Sequence, residues 1–280
     1  MNSLNYQETI FCFVPDGYYI NVLGNMMFRY TIFLLLPLLF ISCIGSPGAG
    51  DKEKRVLIFS KTDGYRHDSI PFAKAALAQI CAQNGIAVDT TEDASAFNEH
   101  NLKRYSAIVF LNTVGNIFDE DQKQSFQRYI QAGGGFVGIH SATGTQNEWP
   151  WFGKMVGGYF VNHPKVQKAT IHVVNREHPA TQHLPARWER TDEWYNFRDL
   201  NPDVTVLATL DETTYTGGEH PDYHPIAWCQ EYDGGRAFYT ALGHLTKNYQ
   251  EPDLLKHMLG GIQWAIGNNR LDYGKVAAVK

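Results

Sequence analysis

The stretch Gly133-Gly134-Gly135-Phe136-Val137-Gly138-Ile139-His140-Ser141-Ala142-Thr143 constrains the fold more than any other part of the chain. Three glycines lead into a short apolar run that stops at a histidine followed by small hydroxyl residues. A run of that length, bounded by glycine and polar residues, is the pattern of a strand buried on both faces of a parallel sheet. Open α/β sheets bind ligands outside the carboxyl ends of their strands. His140 is therefore expected where such folds place their chemistry, and other histidines can be judged by whether they converge on it.

The flanking sequence alternates strand and helix. Arg55 to Ser60 reads as a first strand, followed by a polar loop with Tyr65 and His67. Ser69 with Pro71 signals a helix start, and Asn84-Gly85 its stop. That helix is expected to turn Phe72, Ala73, Ala76, Leu77, Ile80 and Cys81 inward. Residues 86–88 form a weak second strand and 105–112 a strong third. Asp119 with Gln122 resembles a capping box for a helix to Gln131 that buries Phe126, Tyr129 and Ile130. This order predicts an α/β fold with a parallel sheet and helices on both faces.

Beyond His140 the pattern is less regular. A short helix is expected from Trp149 to Val156, and strands at 166–175 and 204–210. A β-hairpin is expected from 226–232 and 236–242, turning at Asp233-Gly234-Gly235. A helix from Leu254 to Ile266 closes the pattern. No internal repeat and no linker follow residue 54. One domain over 54–268 is predicted, with 269–280 as a C-terminal tail.

His244 follows the hairpin strand, and His163 sits on a loop constrained by Pro164. Asp192-Glu193-Trp194-Tyr195 places carboxylates beside aromatic rings. His67, His140, His163 and His244 are thus the candidate metal ligands. Several neutral imidazoles with one carboxylate suit zinc or another divalent ion such as manganese or nickel. The same groups could serve as acids and bases without metal. No His-Glu-x-x-His or His-x-His pattern occurs, so convergence rests on strand ends alone.

His140, His244 and Glu193 are the candidate catalytic groups. Tyr65, His67, Ser141, Trp149, Trp194 and Tyr195 are candidate substrate contacts, because sugars stack their C–H faces on aromatic rings. Trp228, within a strand, is expected in the core. His178, before Pro179, reads as a turn or cap residue. His100, His172, His183 and His257 read as solvated or structural, and His220 and His224 as rimming the pocket.

The first fifty residues carry a different message. Arg29 precedes the apolar run Thr31 to Ser42, which is short for a membrane span and ends at Cys43. The pattern resembles a bacterial lipoprotein signal, cut before Cys43 and lipidated on its thiol, with residues 44–50 as a flexible tether. An uncleaved N-terminal anchor is the alternative. Residues 1–25 fit poorly ahead of such a signal, which makes Met26 or Met27 an alternative start. The expected location is periplasmic or at the outer membrane, held through lipid on Cys43.

The formal net charge is -5 and no Lys/Arg stripe is present, which argues against a nucleic-acid partner. The four cysteines have no C-x-x-C spacing, so neither a disulfide framework nor a cysteine zinc site is expected. Cys81 and Cys229 read as packing residues.

Taken together, Gly64-Tyr65-Arg66-His67, Gly138-Ile139-His140-Ser141-Ala142-Thr143, Asn162-His163-Pro164, Asp192-Glu193-Trp194-Tyr195 and Gly243-His244 resemble the ThuA-like (trehalose utilisation) family over residues 54–268. The resemblance implies the flavodoxin-like, class I glutamine amidotransferase-like fold, with a mostly parallel sheet and helices on both faces. In amidotransferases the turn after the central strand carries a nucleophilic cysteine in a Gly-x-Cys-x-Gly setting. Here His140 takes that position and Ala142 replaces the second glycine. His244 stands where the amidotransferase base is expected, with Thr246 in place of the following glutamate. An imidazole cannot form the thioester, so glutaminase activity is not expected.

The resemblance further implies a sugar substrate: trehalose, another glycoside or a 3-keto-glycoside, handled by a metal-assisted lyase or hydrolase. A histidine-held metal would engage the C3 carbonyl and C2 hydroxyl oxygens and stabilise an enediolate. A histidine or Glu193 would remove the C2 proton, and the C1 substituent would leave, protonated by a second acid. The alternative is a non-catalytic carbohydrate-binding lipoprotein.

Overall fold

The computed structural model describes residues 53–276. The segment expected to be a lipoprotein signal, with Cys43, and residues 277–280 of the expected tail lie outside the described residues.

A nine-stranded sheet organises the chain. Five parallel strands come first, in the spatial order β2 (Ala87–Thr91), β1 (Arg55–Phe59), β3 (Ala107–Leu111), β4 (Gly135–Ile139) and β11 (Gly235–Thr240). Four antiparallel strands extend it through β10 (His224–Tyr232), β9 (Thr205–Asp211), β6 (Gln167–Val173) and β7 (Arg187–Asp192). The order 2-1-3-4 of the parallel half is that of flavodoxin-like sheets. A two-stranded ribbon, β5 (Tyr159–Asn162) with β8 (Asn196–Arg198), lies apart from the main sheet. β5, β7 and β8 were not expected from the sequence.

β3 and β4 are buried along their whole length, as their apolar runs require. Alternate residues serve the two faces. On one, Phe110 and Phe136 meet Phe126 of α3 (Glu120–Gln131), with ring centroids 5.3 and 6.2 Å away. On the other, α5 (Pro252–Ile266) lies so close that a Cβ on its Gly261 would come within 2.3 Å of the Phe238 ring. A Cβ on Gly135 would come within 2.4 Å of the Ala265 carbonyl oxygen. Glycine at these two positions is what lets helix and sheet approach.

α3 begins with the expected capping box between Asp119 and Gln122. α1 (Ile70–Gln83) starts at Ser69, but that hydroxyl accepts a hydrogen bond from the Asn112 side chain at 3.1 Å and caps nothing. The inward residues of α1 are Ile70, Ala73, Leu77 and Cys81. That stripe leaves Phe72 outside, 57% exposed, against expectation. α4 (Pro150–Val156) and the β10–β11 hairpin match the sequence reading. Asp233 and Gly234 both have positive φ (47° and 93°), as a two-residue type I′ turn demands. Among the described residues no helix is long and apolar enough to cross a membrane.

Candidate functional site

β4 ends at Ile139, and His140 turns the chain away with φ 52°. A non-glycine residue in this left-handed region costs roughly 1–3 kcal/mol and persists where its surroundings fix it. Here His140 Nδ1 lies 2.7 Å from the Ala241 carbonyl oxygen, and the His140 carbonyl accepts the Tyr239 hydroxyl at 2.7 Å. Facing a carbonyl, Nδ1 carries a proton, so any lone pair the ring offers is on Nε2.

Ala241 follows β11, the neighbour of β4, and His244 comes three residues later. His67 reaches the same point from farther away, because β3 lies between β1 and β4. The loop after β1 crosses the end of β3, where the Asp63 N–H donates to the Val114 carbonyl at 2.8 Å. The His67 ring then stands 4.8 Å from that of His140 and 5.2 Å from that of His244, centroid to centroid. Glu193 enters from the antiparallel half, directly after β7.

These four side chains, His67, His140, Glu193 and His244, bring one donor atom each within 4.8 Å of one another. His140 Nε2 is 3.4 Å from Glu193 Oε2 and 3.3 Å from His244 Nδ1. His244 Nδ1 is 3.2 Å from the same Glu193 oxygen. Donors bound to one divalent ion at about 2.0–2.2 Å lie roughly 3–3.5 Å apart, so this triangle has the right edge length. His67 Nδ1 is buried without a hydrogen-bond partner, as a ligand atom awaiting an ion would be. The residues fit a divalent metal.

The electrostatics agree. Burial, then the neighbouring His140 and His244, push the His67 imidazole down to about 3, so it is neutral at physiological pH. Burial opposes ionisation of Glu193, but the adjacent His140 and His244 imidazoles hold its carboxyl well below the usual carboxylate range. Burial also opposes charging of His244, and the hydrogen bond and charge of Glu193 outweigh it, raising that imidazole above its ordinary value. Burial keeps the Tyr195 phenol protonated, and it donates to His140 Nε2 at 2.9 Å.

A cavity of about 610 Å³ opens over the cluster. Tyr65, 63% exposed, stands among its lining residues, as do Phe160 of β5 and Ser141, whose hydroxyl is buried without a partner. Tyr195 and His163 also line it.

Three of the four expected histidine ligands thus converge with Glu193. His163 is placed differently: its Nδ1 donates to the Pro164 carbonyl at 3.0 Å and approaches the outer oxygen of Glu193, Oε1, at 3.1 Å. It contacts the carboxylate from the side away from the other imidazoles.

Two expected substrate contacts are packing residues. Trp194 is fully buried, and its indole N–H donates to the Gln167 carbonyl at 2.9 Å. Trp149 stacks on Trp151 and Phe152 at 5.0 and 5.9 Å and is absent from the cavity wall. His220 and His224 line a separate, smaller cavity rather than the rim of this one. His224 is buried, with Nε2 donating to the Tyr195 carbonyl at 2.8 Å.

Trp228 is in the core and His178 Nδ1 accepts the Ala180 N–H at 3.1 Å, both as expected. The sequence reading missed Val114, Gly115, Gly144, Asn147 and Phe160 in the cavity wall. Of these, Val114 and Gly115 carried a usable signal, since they follow the strong third strand.

The family described as ThuA, trehalose utilisation, matches residues 55–265. No curated protein matches the chain. Among solved structures, a putative ThuA-like protein from Bacteroides uniformis is 27% identical with a TM-score of 0.65, covering 79% of this chain and 94% of its own. One from Parabacteroides merdae is 20% identical with a TM-score of 0.64, covering 81% of this chain and 93% of its own. A cytoplasmic protein from Salmonella typhimurium LT2, 15% identical with a TM-score of 0.57, shares the fold over 75% of this chain and 99% of its own.

Proposed function

Because the chain belongs to the ThuA family of trehalose-utilisation proteins, we propose that it is a metal-assisted enzyme that cleaves a glycoside or 3-keto-glycoside by a lyase- or hydrolase-type reaction. One observation carries this reading: His140 Nε2, His244 Nδ1 and Glu193 Oε2 lie 3.2–3.4 Å apart beneath a cavity of sugar-binding size. His67, His140, His244 and Glu193 would hold the ion, which when bound would polarise a substrate carbonyl as a Lewis acid.

The remaining groups have distinct tasks. Tyr65 and Phe160 offer apolar faces to the sugar, and the unpartnered Ser141 hydroxyl can take one of its oxygens. Glu193, held ionised by its neighbours, is a weak base and serves best as an anionic ligand. His163, half-exposed beside the cavity, is placed to carry a proton from the carbon next to the carbonyl. His163, once protonated, can return that proton to the leaving oxygen, since His244 is committed to the ion. The His140 side chain, with Nδ1–H held by the Ala241 carbonyl and Nε2 given to the ion, would move no proton.

Elemental analysis and turnover assays test this. About one equivalent of divalent metal per chain is expected in the wild type, lost in His140→Ala and His244→Ala together with cleavage of keto-glycosides. No metal after incubation with zinc, manganese or nickel would refute the metal reading. Sugar binding unchanged in both variants, with no turnover in the wild type, would favour the carbohydrate-binding lipoprotein. The extracytoplasmic location belongs to the same proposal. Lipid labelling that is abolished by Cys43→Ser would support it.

A further inference from the structure

We propose that Asp192 is the positioning residue that sets the geometry of the histidine cluster; this rests on the metal-centre reading above and gives Asp192 no contact with substrate. Its side chain is fully buried and does not line the cavity. Oδ1 accepts the backbone N–H groups of Glu193 at 3.0 Å and His244 at 3.1 Å. Oδ2 accepts the backbone N–H of Gly243 at 3.0 Å and a guanidinium N–H of Arg190 at 3.3 Å.

The segment that Asp192 grips does two jobs. It supplies His244, and its Ala241 carbonyl fixes the proton and ring plane of His140. Gly243 at its centre has φ 110°, and its carbonyl accepts the Tyr249 hydroxyl at 2.9 Å. Asp192 also holds the backbone of Glu193, its neighbour in sequence. One carboxylate therefore holds the backbone of two of the four candidate ligands and of the segment whose Ala241 carbonyl orients a third.

The carboxylate is itself held by charge. The Arg190 side chain is 2% exposed, pairs with Glu251 at 3.1 Å on its other nitrogen, and lies over the Trp188 ring at 4.7 Å. A buried ion pair of this kind is weak evidence for stability, because desolvation offsets the attraction. Its value here is orientation. An acceptor facing three N–H groups and a guanidinium must be acceptor-only, which a carboxylate is and a carboxamide is not. Outer-shell partners of this kind typically change metal affinity 10–100-fold.

The test is Asp192→Asn in the full chain, read in two ways. Zinc affinity, measured by competition with a chromophoric chelator, is expected to fall 10–100-fold. Nitrogen NMR of the metal-free imidazoles is expected to show His140 losing its single Nδ1–H tautomer while thermal unfolding stays cooperative. An unchanged affinity and an unchanged His140 tautomer would overturn the proposal. A wild type that binds no zinc would refute the metal reading instead, and the tautomer would still decide the role of Asp192. Should Asp192→Asn fail to fold, Glu251→Gln loosens Arg190 from the half-exposed side. It should produce a smaller tautomer change, and none at all would overturn the proposal.

Discussion

His140 sits where backbone strain and chemistry coincide, and its environment predicts how substitutions behave. Asparagine tolerates left-handed backbone, whereas a β-branched residue there pays about 1–2 kcal/mol. His140→Asn should therefore lose metal while the metal-free protein melts close to His140→Gly; His140→Val should melt several degrees lower. Equal melting of the Asn and Val variants would contradict the strain assigned to φ 52°. The aromatic residues divide in a similar way. Phe160→Ala should raise the Michaelis constant for a sugar substrate several-fold, and Trp149→Phe should leave it within about twofold, since Trp149 stacks on Trp151 outside the cavity. Steady-state kinetics on the two variants separates them. His140 and His244 were legible in the sequence because each closely follows an apolar strand. The role of His163 was not, because nothing local to Asn162-His163-Pro164 reveals which oxygen of a distant carboxylate it will meet.

Among the elements, β7 shows why legibility ran out. Its inward positions are Trp188, Arg190 and Asp192, and its outward ones Arg187, Glu189 and Thr191. Two of the three buried side chains are charged, so the apolar alternation that marks a half-buried strand is missing. The chemistry that clamps the site erased the pattern that would have announced the strand. β5 and β8 are too short, at four and three residues, for any periodicity. The parallel half was readable because β3 and β4 are uniformly buried. α5 yields a quantitative expectation. Gly261→Ala gains up to about 1 kcal/mol of helix propensity, but its methyl would stand 2.3 Å from the Phe238 ring. Overpacking a core costs typically 1–3 kcal/mol, so the variant should be less stable by about 1–2 kcal/mol in a denaturant titration. A gain in stability would show that the helix can retreat from the sheet.

Acid should unfold the whole molecule in a way that one buried histidine makes measurable. His257 bridges the Ala180 carbonyl and the Thr240 hydroxyl from within α5, and burial pushes its imidazole down to about 3. In the unfolded chain it titrates near 6.5. Below that pH the unfolded state binds a proton that the folded state refuses. Stability is complete above about 6.5 and declines as pH falls toward 3, by about 1.4 kcal/mol per pH unit for this group. His178, lowered to about 4 by burial, adds in the same direction. His257→Gln should flatten the dependence of melting temperature on pH between 4.5 and 6.5, and an unaltered slope would sink the assignment.

The candidate ligands come from both halves of the sheet: His67, His140 and His244 from the ends of parallel strands, and Glu193 from the far antiparallel edge. His140 and His244 alone are 104 residues apart in the chain. Contacts of such separation form late in folding, because loop closure must precede them. A nascent or partly denatured chain therefore offers an ion no more than isolated imidazoles. Capture would be reserved for molecules that have closed both halves, and each captured ion would slow the reverse opening. Metal occupancy would then act as a certificate of completed folding, separating finished molecules from those still open to proteolysis.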